Sequence, residues 1–361
     1  MSSCRFGAAA ALLAALVGAG GAAQANDLIL TAAKPNRLYV IDPATHALKS
    51  EIRVPDISGG IGTIVPSPDG RVAYLLVNRM ESIVGVDLAS GKVIFRADLS
   101  GPTERVKDFF GFTVTPDGRE LIAYELPTKL LPSEYVVQEP RFVVFKTSDG
   151  LKAKVVRQYP APRRVHMLLM RPSGRSFYAV GFDLFEYDVS NGKLLGTRGI
   201  QNWQQPGHAQ PDLLAFWPVS EPSGVFATPI YSEIQGGKEA GPVTGLMTLD
   251  LASGALDYRD FETTSALIFS TVLAPDRKTA YGVYTTLTQV DVARGRLANR
   301  VPLDHTFYSV NISSDGRELF LGGTNCDVAF YDAATLEKKT VLKLPGCPDQ
   351  SLSSLRVIRT H

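Results

Sequence analysis

Short apolar runs rich in Val, Ile, Leu, Phe and Tyr alternate along this chain with clusters of Pro, Asp, Gly, Ser and Asn, and the alternation itself repeats. One phrase reads strand, aspartate, turn, strand: LYVIDPATHALKSEI (38–52), IVGVDLASGKVIFRA (83–97) and LFEYDVSNGKLLGTR (184–198) are copies of it. Further copies occupy 142–156, 245–260, 287–301 and 328–342, making seven. Six carry aspartate at one place, as Asp42, Asp87, Asp188, Asp250, Asp291 and Asp332, and Lys146 stands there in the third. A second phrase, two apolar runs joined by a tight turn, precedes six of the seven. Its turns are SPDG (67–70), TPDG (115–118), RPSG (171–174), EPSG (221–224), APDR (274–277) and SSDG (313–316). Proline presets the backbone angle of a turn and glycine accepts positive φ, so these are hairpin turns. An aspartate recurring in a turn serves the fold, because it can accept bonds from its own backbone.

Each full unit thus predicts four antiparallel strands. A repeat of about 48 residues falls within the roughly 40–50 of propeller blades, and no amphipathic helical pattern lies between the strands. The expected fold is all-β, a seven-bladed β-propeller occupying 26–361 as a single domain. LILTAA (28–33) runs straight into the first Asp phrase, and SSLRVIR (353–359) reads as an inner strand with no unit after it. The last strand is therefore expected to complete the first blade and close the ring, leaving only short protected edges.

Residues 1–25 carry a different pattern: one charge at Arg5, an apolar run AAAALLAALV (8–17), then small residues ending Ala23-Gln24-Ala25. This is the pattern of a signal peptide with cleavage after Ala25. At about ten residues the run is too short to cross a bilayer. The expected compartment is the periplasm, with no membrane association. The 37 Lys+Arg against 36 Asp+Glu give no basic excess for nucleic acid. After Ala25 two cysteines remain, Cys326 and Cys347, near the ends of adjacent strands of the last unit. A disulfide between them would stabilise by roughly 3 kcal/mol in the chain-entropy model; free thiols are the alternative.

Motifs for autonomous chemistry are missing from the chain. There is no CxxCH for haem attachment, no HxxxH, no P-loop and no GxSxG. The five histidines, His46, His166, His208, His305 and His361, stand apart in sequence. No metal site and no catalytic residue is expected of this chain. The Asp-to-Asp spacings, 45, 59, 42, 62, 41 and 41 residues, mark two insertions, at 125–141 and within 201–245. The second holds both tryptophans. Long loops on a rigid scaffold carry recognition. Trp217 is expected to pack between blades, whereas Trp203 and His208, in a polar Pro/Gly-rich stretch, are candidates for a pocket or interface.

Four stretches, TERVKDFFGFTVTPDGRELIAYELP (103–127), QNWQQPGHAQPDLLAFWPVSEPSGVFATPIY (201–231), STVLAPDRKTAYGVYTTL (270–287) and VPLDHTFYSVNISSDGRELFLGG (301–323), resemble the beta subunit of quinohemoprotein amine dehydrogenase. The likeness runs over the whole mature chain, and the insertion at 201–231 is its most specific part. The resemblance implies a three-subunit periplasmic enzyme that oxidises primary amines to aldehydes and ammonia. A small gamma subunit would carry cysteine tryptophylquinone, and an alpha subunit two c-type haems. The propeller would cradle the small subunit and bind no redox cofactor itself. Residues at the starts of the inner strands would ring the mouth where substrate or small subunit binds: Phe109, Phe110, His166, Gln210, Asp212, Phe269, Phe307 and Tyr308. The competing readings are a stand-alone binding propeller and a propeller lactonase or hydrolase.

Overall fold

The computed structural model describes residues 26–350 and 353–360. The expected signal segment therefore lies outside the described residues. Seven antiparallel sheets follow one another along the chain, and the inner strands of most neighbouring sheets touch around a ring, blade 5 meeting blade 6 through its second strand, Val225–Ile234. Blade 1 pairs the C-terminal strand Arg356–Thr360 with Asn26–Ala33, followed by Arg37–Asp42 and Ala47–Arg53. Blades 2 to 7 begin at the inner strands Ile64–Pro66, Phe112–Val114, Met167–Met170, Asp212–Leu213, Ile268–Leu273 and Ser309–Ile312. The fold is a seven-bladed β-propeller.

The apolar runs of the repeat explain the packing. In an open antiparallel sheet one face meets water and strands alternate. Here the middle strands are buried on both faces, as in Val72–Val77 and Asp327–Asp332, because each blade lies between two others. The buried side chains fall into clusters that join successive blades. Leu30, Leu38, Ile64 and Val84 join blades 1 and 2, while Phe320, Phe330, Ile29 and Tyr39 join blades 7 and 1. The outermost strands, such as Leu194–Arg198, face solvent.

The repeated aspartates cap their own turns. The Oδ1 atoms of Asp42, Asp87, Asp188 and Asp250 accept backbone N–H bonds from Ala44, Ser90, Ser190 and Ser253 at 2.8–2.9 Å. Asp291 and Asp332 do the same at 3.0 Å. Four residues beyond the aspartate the chain turns left-handed, which Gly91, Gly192, Gly254 and Gly295 accept without strain. Lys146 cannot accept such bonds, and the short 3-10 segment Thr147–Lys152 replaces the turn.

Blade 3 departs from the four-strand expectation. Its second strand, Glu120–Leu130, overruns the blade, and the overrun pairs with Glu104–Lys107 on one side and Tyr135–Val137 on the other. The first insertion is thus a β-extension of the sheet, and this sheet has six strands.

Closure is by Asn26↔Thr360 through Leu30↔Arg356. Buried side chains stitch the returning segment to three blades. Ser353 Oγ accepts from the Ala32 N–H at 2.8 Å, Ser354 Oγ accepts from the Ile64 N–H at 2.9 Å, and Asn311 Nδ2 donates to the Leu355 carbonyl at 3.1 Å. Cys326 and Cys347 are disulfide-bonded, with their Cα atoms 5.6 Å apart. The bond ties the turn before Asp327–Asp332 to the chain beyond Lys338–Lys343.

Candidate functional site

Because each blade has an even number of core strands, the connections sort onto two faces. The Asp turns and Pro/Asp/Gly turns share one face, here the turn face. The segments entering the inner strands, with the connections between second and third strands, share the other, the loop face. Both insertions belong to the loop face, and its channel mouth opens into an apolar cavity of about 360 Å³.

Three blades contribute walls to this cavity. Blade 3 supplies Phe109, Phe110 and Leu126; blade 4 supplies Arg164, Val165 and His166; blade 5 supplies Leu213, Ala215 and Phe216. The entry segments of blades 3 and 4 are bent at non-glycine residues with positive φ, Phe110 at 65° and Arg164 at 66°. Such backbone is costly and persists where surrounding structure imposes it. Beneath Phe110, Asp108 is fully buried and its Oδ1 accepts the Gly111 N–H at 2.6 Å. Burial pushes the Asp108 carboxyl well above the usual range, against the pull of that N–H bond, and nearby Glu125 adds to the rise. Its Oδ2 is buried without a hydrogen-bond partner. Desolvation lowers His166 to about 4, so its imidazole is neutral at pH 7.

Beyond Phe216 the wall continues as stacked rings. Phe216 lies on Phe269 with centroids 4.9 Å apart and planes within 2°, Phe269 lies on Tyr308 at 4.6 Å, and Tyr284 stands 6.0 Å from Tyr308. Phe109 is 45% exposed, which places a large ring at the rim in contact with water.

Of the residues anticipated at this mouth, Phe109, Phe110 and His166 line the cavity, and Phe269 and Tyr308 stand in the adjoining stack. Asp212 begins its inner strand and is exposed, as is Gln210 two residues earlier. Phe307 is buried in the core between blades 6 and 7, its ring 4.1 Å from that of His305, and does not reach the mouth. Trp203 and His208 also lie outside the cavity. Trp203 is only 8% exposed, packs between blades 4 and 5 against Tyr258 at 5.2 Å, and donates its indole N–H to the Ala209 carbonyl. His208 anchors the same segment through an ion pair to Asp260 at 2.7 Å. Burial alone would lower this imidazole, but the bond to Asp260 prevails and raises it. Trp217, from blade 5, is buried against the core of blades 6 and 7.

Sequence reading missed Arg164, Phe216 and Tyr284. Arg164 stands two residues before His166, and Phe216 beside the more conspicuous Trp217. Arg164 could have been flagged by its place just before the inner strand of blade 4, whereas Phe216 follows the inner strand of blade 5 and Tyr284 ends the second strand of blade 6, with no comparable signal.

The turn-face mouth is built differently. Arg356, almost wholly buried, bonds to Glu221 and donates to the Ile64 carbonyl at 2.7 Å, so a charged pair stands across the channel. The cavity there, about 280 Å³, is lined by turn residues such as Ser67, Pro68 and Ser314. Among the described residues, no three His, Cys, Asp or Glu side chains converge as a metal site would require.

Fold and site together define a propeller with one charged, plugged mouth and one open aromatic mouth. No protein-family model matches the chain, and no curated protein is similar to it in sequence. Solved structures share the fold. Kuenenia stuttgartiensis hydrazine synthase superposes with a TM-score of 0.52 at 13% identity, over 86% of this chain and 90% of that one. Dihydro-heme d1 dehydrogenase NirN, solved in complex with DHE, gives 0.52 at 13% identity, over 92% of this chain and 75% of that one. At such identity the likeness is one of fold.

Proposed function

We propose that this chain is the non-redox propeller subunit of a periplasmic quinohemoprotein amine dehydrogenase, exported by cleavage after Ala25. In this reading it receives a small quinone-bearing gamma subunit on its loop face, beside a di-haem alpha subunit. The observation that carries the reading is the aromatic cavity at the loop-face mouth, where Phe109, Phe110 and Phe216 surround a neutral His166. Pockets for organic ligands are mostly apolar with a few polar groups, and this one suits the organic part of an amine. The chain lacks CxxCH, and its two cysteines beyond residue 25 are bonded to each other. Neither sulfur remains for a crosslink to tryptophan. Quinone and haem chemistry would come from the partner chains; this chain would bind the substrate's apolar end and shield it from water.

Purification from the native source tests the reading. The chain should co-purify with a haem-bearing chain and a small quinone-bearing chain, and the complex should reduce an electron-accepting dye when given a primary amine. The isolated chain should be colourless and inert toward amines. A companionless monomer from the native source, or intrinsic lactonase activity, would replace this reading with a binding propeller or a hydrolase.

A further inference from the structure

We infer that His208 is a pH-operated clasp: as an imidazolium it fastens the 201–210 segment to blade 5, and on losing its proton it releases that segment and slackens the blade 5 wall of the loop-face cavity. The inference goes beyond the amine reading and is independent of it.

The contacts of the ring carry it. Nδ1 lies 3.0 Å from the Pro206 carbonyl oxygen and Nε2 lies 2.7 Å from Asp260 Oδ2, so both ring nitrogens face acceptors. A neutral imidazole has one N–H and one lone pair, and only the imidazolium donates at both positions. Deprotonation therefore sets a lone pair against an oxygen at one end or the other. The His208 side chain is 12% exposed, which leaves water little room to relieve that contact. Desolvation would lower this imidazole, but the bonds to Asp260 and to the Pro206 carbonyl raise it. A histidine raised in the folded state stabilises fully below its ordinary value, near pH 6.5, and that contribution is lost as pH rises through the raised one.

The charged groups around the ring have their own places. On the outermost strand of blade 5, Leu256–Thr263, Asp260 meets His208, Arg259 turns to Asp257, Glu262 pairs with Arg300, and burial pushes the Tyr258 hydroxyl up to about 12. Glu233 on the second strand is exposed and meets the segment through its backbone carbonyl, and Lys238 and Glu239 beyond it are exposed. Asp183 of blade 4 accepts the Ile200 and Asn202 N–H groups. The residues on either side of His208 join blade 5 by backbone bonds: the Gly207 carbonyl accepts from the Gln235 N–H at 2.7 Å, and the Ala209 N–H donates to the Glu233 carbonyl at 2.9 Å. The chain then enters the two-residue inner strand Asp212–Leu213, which makes only two residue pairs with its neighbour. Leu213, Ala215 and Phe216 of the cavity wall follow directly, so the wall depends on the clasped segment before it.

Hydrogen exchange on the full chain tests this, with amide protection corrected for the intrinsic effect of pH. Between about pH 6 and about pH 9, either side of the raised imidazole, protection at Ala209 and Gln235 should fall about tenfold, the equilibrium worth of one bond to a charged group. Protection across 211–216 should fall with it. The midpoint, read from the His208 ring protons by NMR, should lie above about pH 6.5. His208→Gln, whose amide cannot donate at both positions, should be as poorly protected in mild acid as the parent is in base, with no further fall. Asp260→Asn, which keeps the shape and removes the charge, should lower the midpoint by about one pH unit, and it serves as the test if His208→Gln fails to fold. Equal protection in the parent at the two pH values, the same fall in His208→Gln, or an unmoved midpoint in Asp260→Asn would overturn the inference. Loosening confined to 201–210 and Gln235 would overturn the part that concerns the cavity wall. None of these readouts needs a substrate or a partner, so they decide the clasp whether or not the native complex oxidises amines.

Discussion

On the turn face of the ring every Asp turn reuses one residue pattern and most satisfy their own backbone from within, whereas on the loop face no two connections are alike. Asp42, Asp87 and Asp188 each accept a bond from a residue two or three positions on. The loop face uses such a bond without repeating it from blade to blade, as where Asp108 accepts the Gly111 N–H three positions on. Of the ten non-glycine residues with positive φ among those described, seven lie there: Asp56, Asn78, Arg79, Met80, Phe110, Arg164 and Cys326. Its segments are held by remote partners instead, as the Trp203 segment is held by Tyr258 and Asp260. Local chemistry builds a face that holds the ring together. Tertiary packing builds a face that can be strained, aromatic and concave, and so can bind.

The largest expected effect comes from deleting residues 353–361, which removes the inner strand of blade 1 and the Arg356–Glu221 plug. Leu355, Val357 and Ile358 are almost fully buried. At roughly 1.5–3 kcal/mol each, their loss approaches the whole stability of a domain. The truncated chain should show no cooperative thermal transition near that of the parent. An unchanged melting curve would mean that the closing strand contributes nothing.

Next in size, Trp203→Ala should cost about 3–5 kcal/mol in denaturant unfolding, as for a large core side chain. This sharpens the contrast between faces, because Trp203 sits in a polar loop yet is held like a core residue. A loss below about 0.5 kcal/mol, with impaired assembly, would return it to the interface.

The smallest effect should be that of Asp188→Ala, about 1 kcal/mol, for loss of the bonds from Ser190 and Asn191. The Ser190 hydroxyl bond, with the backbone N–H bonds, holds the Asp188 carboxyl below its usual range despite some opposing desolvation. A carboxyl lowered in the folded state stabilises above its unfolded value, near pH 4, and loses that contribution as pH falls through the folded one. The difference between parent and variant should therefore be full at pH 7 and fade in acid. A difference that persisted at pH 2 would show that the turn is held by something other than the ionised side chain.

Blade number, blade order and ring closure were legible in the chain because their signals are local. A turn needs an acceptor, a proline or a glycine within four residues, and seven repetitions make that need readable. The β-extension of blade 3 was not legible as structure, since 125–141 lacks turn chemistry distinct from a loop. The burial of Trp203 was not legible for a related reason: Gln, Pro and Gly around it argue exposure, and nothing within its own segment announces Tyr258.

Phe109, Phe110 and His166 could be placed at a mouth from their positions before inner strands. Their meeting with Arg164 and Phe216 could not, because these residues come from three blades and only the radius and twist of the closed ring set their separation. Residue order thus dictates the turns, through bonds that span a few positions. The cavity, its strained entries and the charged plug opposite depend on distances between segments far apart in the chain, which only the packing of blade on blade decides.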